Sequence, residues 1–90
     1  MKKDIYLIEL YRIKKEENIA RSKHTVGFYF KYEDAYDAIK KNWLDLADGG
    51  NYNYCCIRPY EEGVHSFQLR RPLNWFHFDE DDGWIECVEP

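Results

Sequence analysis

One stretch of helical period, framed by alternating and sheet-forming runs, dominates the pattern of apolar and polar residues. Between Phe28 and Gly50, the apolar positions Tyr32, Ala35, Tyr36, Ile39, Trp43, Leu46 and Ala47 recur mostly at three- and four-residue steps. That spacing predicts an amphipathic helix with a single buried face. Asp34, Asp37, Lys41, Asp45 and Asp48 fall on the other face, with Asp37 placed before Lys41 in the order that favours a helix-surface ion pair. Glu33 and Asp34 stand in the first turn, where the helix dipole favours anions. Gly49 and Gly50 supply the left-handed residue that commonly ends a helix.

The flanking segments read as strands. From Asp4 to Ile13 both alternate sets are largely apolar, which predicts a strand covered on both faces near the middle of a sheet. Lys14 to Asn18 is a polar turn, and Ile19 to Phe30 reads as the returning strand of a hairpin, with Gly27 marking a bulge. Tyr52 to Arg58 reads as a third strand stopped by Pro59 and by Glu61 to Gly63. Val64 to Leu69 offers a short strand ended by Pro72. Leu73 to Phe78 and Trp84 to Val88 complete a hairpin around Asp79, Glu80, Asp81, Asp82 and Gly83. The predicted architecture is a single α+β domain over residues 1–90: a mainly antiparallel sheet, ββαβ plus a C-terminal hairpin, with one helix packed on one face.

Composition narrows this picture. A chain of 90 residues with 44% hydrophobic and 18% aromatic content can build one core, and is too apolar for disorder. A net charge of -4 argues against affinity drawn from neutralising phosphates, so a directly bound nucleic acid is not expected. The charge is also uneven. Met1 to Lys23 holds seven Lys or Arg against four acids, whereas Asp79 to Pro90 holds six acids and no base. No apolar run reaches the roughly 18 residues needed to span a bilayer, and Met-Lys-Lys-Asp-Ile-Tyr has no signal-peptide core, so a cytosolic protein with no membrane partner is expected. Three cysteines, two of them adjacent, suit reduced thiols better than a disulfide framework.

Several residue sets have candidate chemistry. Cys55, Cys56, Cys87, His24, His65 and His77 are of the types that ligate zinc. No C-x-x-C or H-x-x-x-H pair occurs, and adjacent cysteines in a strand point to opposite faces. If the last hairpin brings His77 and Cys87 onto one face, Cys56 and His65 can close a structural site, which makes Cys56, His65, His77 and Cys87 the candidate ligands. The plainer reading makes the cysteines small buried hydrophobes. Glu80, Asp82, Gly83, Ile85 and Glu89 match part of an EF-hand loop, but Phe78 occupies its leading carboxylate position, so a solvated acidic turn is the better account. Nothing in the sequence pairs a cysteine or serine with a base, and no phosphate loop or nucleophile elbow is present; an enzyme is not expected. Tyr52, Tyr54, Trp75, Phe76, Phe78 and Trp84 stand beside acids, not in a basic groove, which favours core packing over base stacking. Glu61 and Glu62, with Asp79, Glu80, Asp81, Asp82, Glu86 and Glu89, can imitate the charge of a nucleic-acid backbone and steer association with a basic partner. The six from Asp79 to Glu89 are the candidate partner-binding residues; the competing reading is a solvated turn.

Val26 to Phe30, the helix Glu33-Asp34-Ala35 through Ala38 to Asn42-Trp43, Tyr52-Asn53-Tyr54 with Ile57, Glu62-Gly63, Trp75-Phe76 with Phe78, and Cys87 before Glu89-Pro90 together form a pattern over most of the chain. In these residues the chain resembles a group of small proteins of phages and mobile elements of Gram-positive bacteria. Lys31 departs from the Ser or Thr cap of that pattern and weakens the helix start. Size, acidity and absence of a catalytic motif look like an anti-CRISPR protein that inhibits a type II RNA-guided nuclease. The resemblance implies direct binding to the host type II CRISPR effector nuclease in the bacterial cytoplasm, covering its protospacer-adjacent-motif reader or blocking target DNA entry. It also implies a structural zinc, with individual ligands left open.

Overall fold

A computed structural model of the chain describes residues 4–14, 19–49, 51–61 and 71–90. The elements are β1 (Asp4–Lys14), β2 (Ile19–Tyr29), α1 (Tyr32–Lys40), β3 (Tyr54–Glu61), β4 (Asn74–Asp79) and β5 (Gly83–Cys87). The strands form one five-stranded sheet in the order β2-β1-β3-β4-β5, every adjacent pair antiparallel, so β1 lies inside the sheet and β2 and β5 are its edges. The helix covers one face, giving the α+β architecture that the patterning predicts.

Alternation fixes which side chains meet the helix. Ile8, Leu10, Cys55, Ile57, Phe76 and Trp84 point from the sheet into the layer closed by Ala35, Ala38 and Ile39, and Tyr6, Tyr29, Tyr32 and Tyr36 pack around its border. Each fully buried large side chain stabilises the fold by about 1.5–3 kcal/mol. Gly27 is the bulge residue: Leu7 pairs with Phe28 and Ile8 with Val26, which leaves Gly27 as the extra residue at φ +60. Lys31 precedes the helix in extended conformation without a side-chain cap, and its carbonyl accepts from the Asp34 and Ala35 amides.

Three expectations are corrected. First, the helix does not run to Ala47. Asn42 adopts φ +48, its N–H donates to the Ile39 carbonyl (2.9 Å) and the Trp43 N–H donates to the Ala38 carbonyl (3.0 Å), the paired bonds of a Schellman stop. An asparagine therefore ends the helix well before Gly49, and Trp43, expected in the buried face, is 57% exposed. Leu46 and Ala47 still pack on the core, but from a loop. Second, Asp37 and Lys41 form no ion pair, although the Lys41 N–H still donates to the Asp37 carbonyl at 3.0 Å and the chain leaves the helix only at Asn42. Third, Pro59 does not stop β3 but is buried within it, paired with Tyr6. The Ile57 carbonyl faces β4, where it accepts from the Leu73 N–H at 2.8 Å, so position 59 faces the same way, past the last β3–β4 pair at Ile57 and Asn74. A missing N–H on that side interrupts no ladder. The strand predicted over Val64 to Leu69, and the turn residues 15–18, lie outside the described residues.

Candidate functional site

The acidic hairpin is built from local rules. Asp79 pairs with Gly83 at the end of the β4–β5 ladder, Gly83 takes φ +78, and Asp79 Oδ1 accepts the Asp81 N–H at 3.0 Å. This Asx turn leaves Glu80, Asp81 and Asp82 exposed at the tip. Beyond the tip, Glu86 lies on the helix-side face of the edge strand β5, opposite Phe76, and Glu89 follows the end of that strand, both exposed. Glu86 accepts a hydrogen bond from the Tyr36 hydroxyl at 2.5 Å. That bond, followed by desolvation and the carboxylate's charge, holds the Tyr36 phenol above the ordinary tyrosine pKa. Among the described residues, none of the six carboxylates from Asp79 to Glu89 forms an ion pair with a lysine or arginine. They form an acidic border along one edge. Glu61 does not belong to it: its pairing with Asp4 places it at the end of β3 remote from the hairpin tip, and Glu62 lies outside the described residues.

The candidate zinc ligands are only partly brought together. Register places Cys56, His77 and Cys87 on the sheet face away from the helix, with His77 diagonal to Cys87 across the last hairpin. Cys56 and Cys87, however, both oppose Trp75, one on each side, so two strand spacings separate their backbones, roughly 9–10 Å. Cys56 Sγ instead donates to Glu9 Oε1 at 3.5 Å. His65 lies outside the described residues, and among those described no three His, Cys, Asp or Glu side chains converge on a metal position. All three cysteines are free thiols. Burial pushes the Cys55 thiol far up, with the neighbouring cysteines adding to it, and burial also raises Cys87. Thiols held protonated in this way are weak nucleophiles. His24 offers Cys55 no base, since Leu10 stands between their strands and pairs with both, and the His24 ring stacks on Tyr52. The aromatics behave as packing residues: Trp84 is buried against Phe78, and Trp75 packs on Tyr11.

Two features escape a reading by sequence pattern. On the face away from the helix, Glu9 is 1% exposed and accepts from Arg58 Nε at 2.7 Å, with Arg58 13% exposed. The Tyr11 hydroxyl donates to the same oxygen at 3.1 Å. Burial works against the Arg58 charge, but the hydrogen bonds to Glu9 and Tyr11 and the attraction of Glu9 outweigh it and raise the guanidinium pKa. Only the register, which pairs Leu7 with Arg58 and Glu9 with Cys56, makes Glu9 and Arg58 diagonal neighbours. The second feature is the loop after α1. Asn42 Oδ1 accepts from both the Ala47 N–H (3.0 Å) and Trp84 Nε1 (3.1 Å), tying this loop to β5. Asp45 accepts from Asn42 Nδ2 and from the Gly49 N–H.

No protein-family model, no curated protein and no solved structure matches this chain. Among the described residues, no helix is long and apolar enough to cross a membrane.

Proposed function

We propose that this protein works by binding and not by bond chemistry: it lays the acidic β5 edge on a positively charged surface of a nucleic-acid-handling protein and keeps nucleic acid off that surface. One observation carries the reading. The carboxylates of Asp79, Glu80, Asp81 and Asp82 at the tip, with Glu86 and Glu89 on the chain returning from it, form no ion pair with a lysine or arginine among the described residues, although Lys40 Nζ reaches the Trp84 carbonyl of the same strand. Unneutralised charge of one sign speeds encounter with a surface of the other sign and rejects like-charged partners. The anti-CRISPR resemblance gives the partner's class, a type II RNA-guided effector nuclease of the bacterial host, whose target-DNA channel is positively charged. In this reading the phage protein acts in the host cytoplasm and blocks DNA loading. A pull-down with the guide-loaded nuclease, followed by a DNA-loading assay over rising salt, tests it. Binding that weakens with salt and falls in a D79N/D81N/D82N variant is expected; absence of binding at low salt removes the reading.

A zinc-stabilised interaction module is the second reading, favoured by the shared face of His77 and Cys87. Elemental analysis of protein purified without a histidine tag decides it. Close to one zinc per chain supports the site, and a value near zero ends it.

A further inference from the structure

Away from the β5 edge, an open groove of about 420 Å³ runs beside the helix, lined by Tyr29, Asp34, Asp37, Ala38, Lys41 and Trp43. Its position follows from the sequence. Asp34, Asp37, Ala38 and Lys41 are spaced as one stripe of a helix, Tyr29 ends β2, and the helix stop at Asn42 swings Trp43 out of the core to close the groove's end. Had the helix continued, Trp43 would follow Ile39 into the buried layer. The groove thus exists because the helix stops early.

We propose that this groove receives an arginine side chain presented by the basic partner. The inference rests on the reading of the protein as a binder of a basic surface, and adds a contact that the β5 edge does not provide. Three features select the ligand. Asp34 and Asp37 are not ion-paired among the described residues, although Lys41 borders the same groove, so the two carboxylates have unused charge for a cation. Trp43 is 57% exposed and borders the same space, so an aromatic group of the kind a guanidinium stacks on stands at the groove. Ala38 and the Tyr29 ring supply an apolar wall for the aliphatic stem of a long cationic side chain. An anion is repelled by two carboxylates to one ammonium, and an uncharged apolar group would bury those carboxylates without compensation. Arginine fits better than lysine because its planar group combines stacking on Trp43 with paired donation to a carboxylate.

Titration of the full-length, isotope-labelled protein with a blocked Arg-Gly repeat peptide, followed by amide and indole NMR, tests the assignment; a Lys-Gly and a citrulline-Gly peptide are the controls. The expected result is a shift of the Trp43 indole N–H and of the Asp34 to Lys41 amides, with the arginine peptide binding several-fold more tightly than the lysine peptide and the citrulline peptide not binding. D34N/D37N and W43A, all at exposed positions, are each expected to weaken arginine-peptide binding about 3- to 10-fold with an unchanged amide spectrum elsewhere. D79N/D81N should leave the Trp43 shift intact. Shifts confined to Asp79 to Glu89 overturn the groove and leave the acidic-edge reading standing, whereas no shift at either place sinks both. Equal binding of the lysine or citrulline peptide overturns the arginine assignment.

Discussion

The β4–β5 turn and the loop that follows α1 are both acidic, and both turn the chain through left-handed backbone, but with different residues. The hairpin assigns its positive φ to Gly83, which adopts it at little steric cost. The loop assigns it to one glycine, Gly49 at φ +64, but also to four residues with side chains, Asn42, Leu44, Asp45 and Asp48, at φ between +48 and +56. For residues with a side chain that conformation costs about 1–2 kcal/mol each, less for Asn and Asp, whose side chains bond locally. Asn42 and Asp45 offset it with bonds to Ala47, Trp84 and Gly49. Leu44 has no such return and stands 86% exposed. The lesson is that the acids at the hairpin tip, Glu80, Asp81 and Asp82, are free to act outward, whereas Asp79 is tied into the turn, Glu86 to Tyr36, and Asp45 in the loop has both carboxylate oxygens engaged by Asn42 and Gly49. Counting carboxylates by sequence treats the two regions alike, and their hydrogen bonds separate them.

Substitutions that break or sharpen this contrast can be ranked. Asn42→Ala should have the largest effect, about 2–3 kcal/mol of destabilisation by urea unfolding, because it removes the left-handed preference and leaves the Ala47 amide and the Trp84 indole without their acceptor. Asn42→Gly keeps the backbone and loses only the bonds, so it should recover part of that loss; equal loss in both variants would mean the backbone contributes nothing. Gly83→Ala places a side chain at φ +78 and should cost about 1–2 kcal/mol, shown by a lowered midpoint. Leu44→Gly should run the other way, raising stability by about 0.5 kcal/mol. Destabilisation there would show that the exposed leucine has a native contact the contrast overlooks.

The smallest expected effect lies on the β5 edge itself. The folded state holds the Tyr36 proton more tightly than the unfolded chain, through its bond to Glu86. That contribution is complete below the ordinary tyrosine pKa of about 10 and fades as the pH rises through the raised folded value. Ultraviolet titration of Glu86→Gln should bring Tyr36 back toward ordinary tyrosine behaviour, while the urea midpoint at neutral pH barely moves. A large loss of neutral-pH stability would show that Glu86 is a structural acid like Asp45 and not an outward-facing one.

Much of the fold is legible in the pattern, and the failures have two causes. The helix stripe from Tyr32 to Ile39, the internal character of β1, the Gly27 bulge and the last hairpin all follow from local periodicity and turn chemistry. The helix stop does not, because Leu46 and Ala47 continue the apolar period while already in a loop, and nothing local reveals that Asn42 turns left-handed. Pro59 reads as a strand breaker unless one knows where β4 begins. The acids of the hairpin were legible as a group, but Glu61 separates from them only once β3 has been given a direction. Of the metal candidates, sequence identifies the residue types and the alternating faces, and only strand order places Trp75 between Cys56 and Cys87. Apart from the helix stop, each missing piece depends on which strand lies beside which, information that a one-dimensional pattern does not contain.

The Glu9–Arg58 contact has a consequence for how the strands find one another. Side chains change faces with every one-residue slip of a strand. Shifting β1 by one place would drive the Glu9 carboxylate beneath the helix, into the layer occupied by Ile39 and Phe76, and away from its guanidinium. Stranding a charge there costs several kcal/mol, so a single ionised group acts as a proofreader of alignment in a strand whose apolar residues would otherwise tolerate either face.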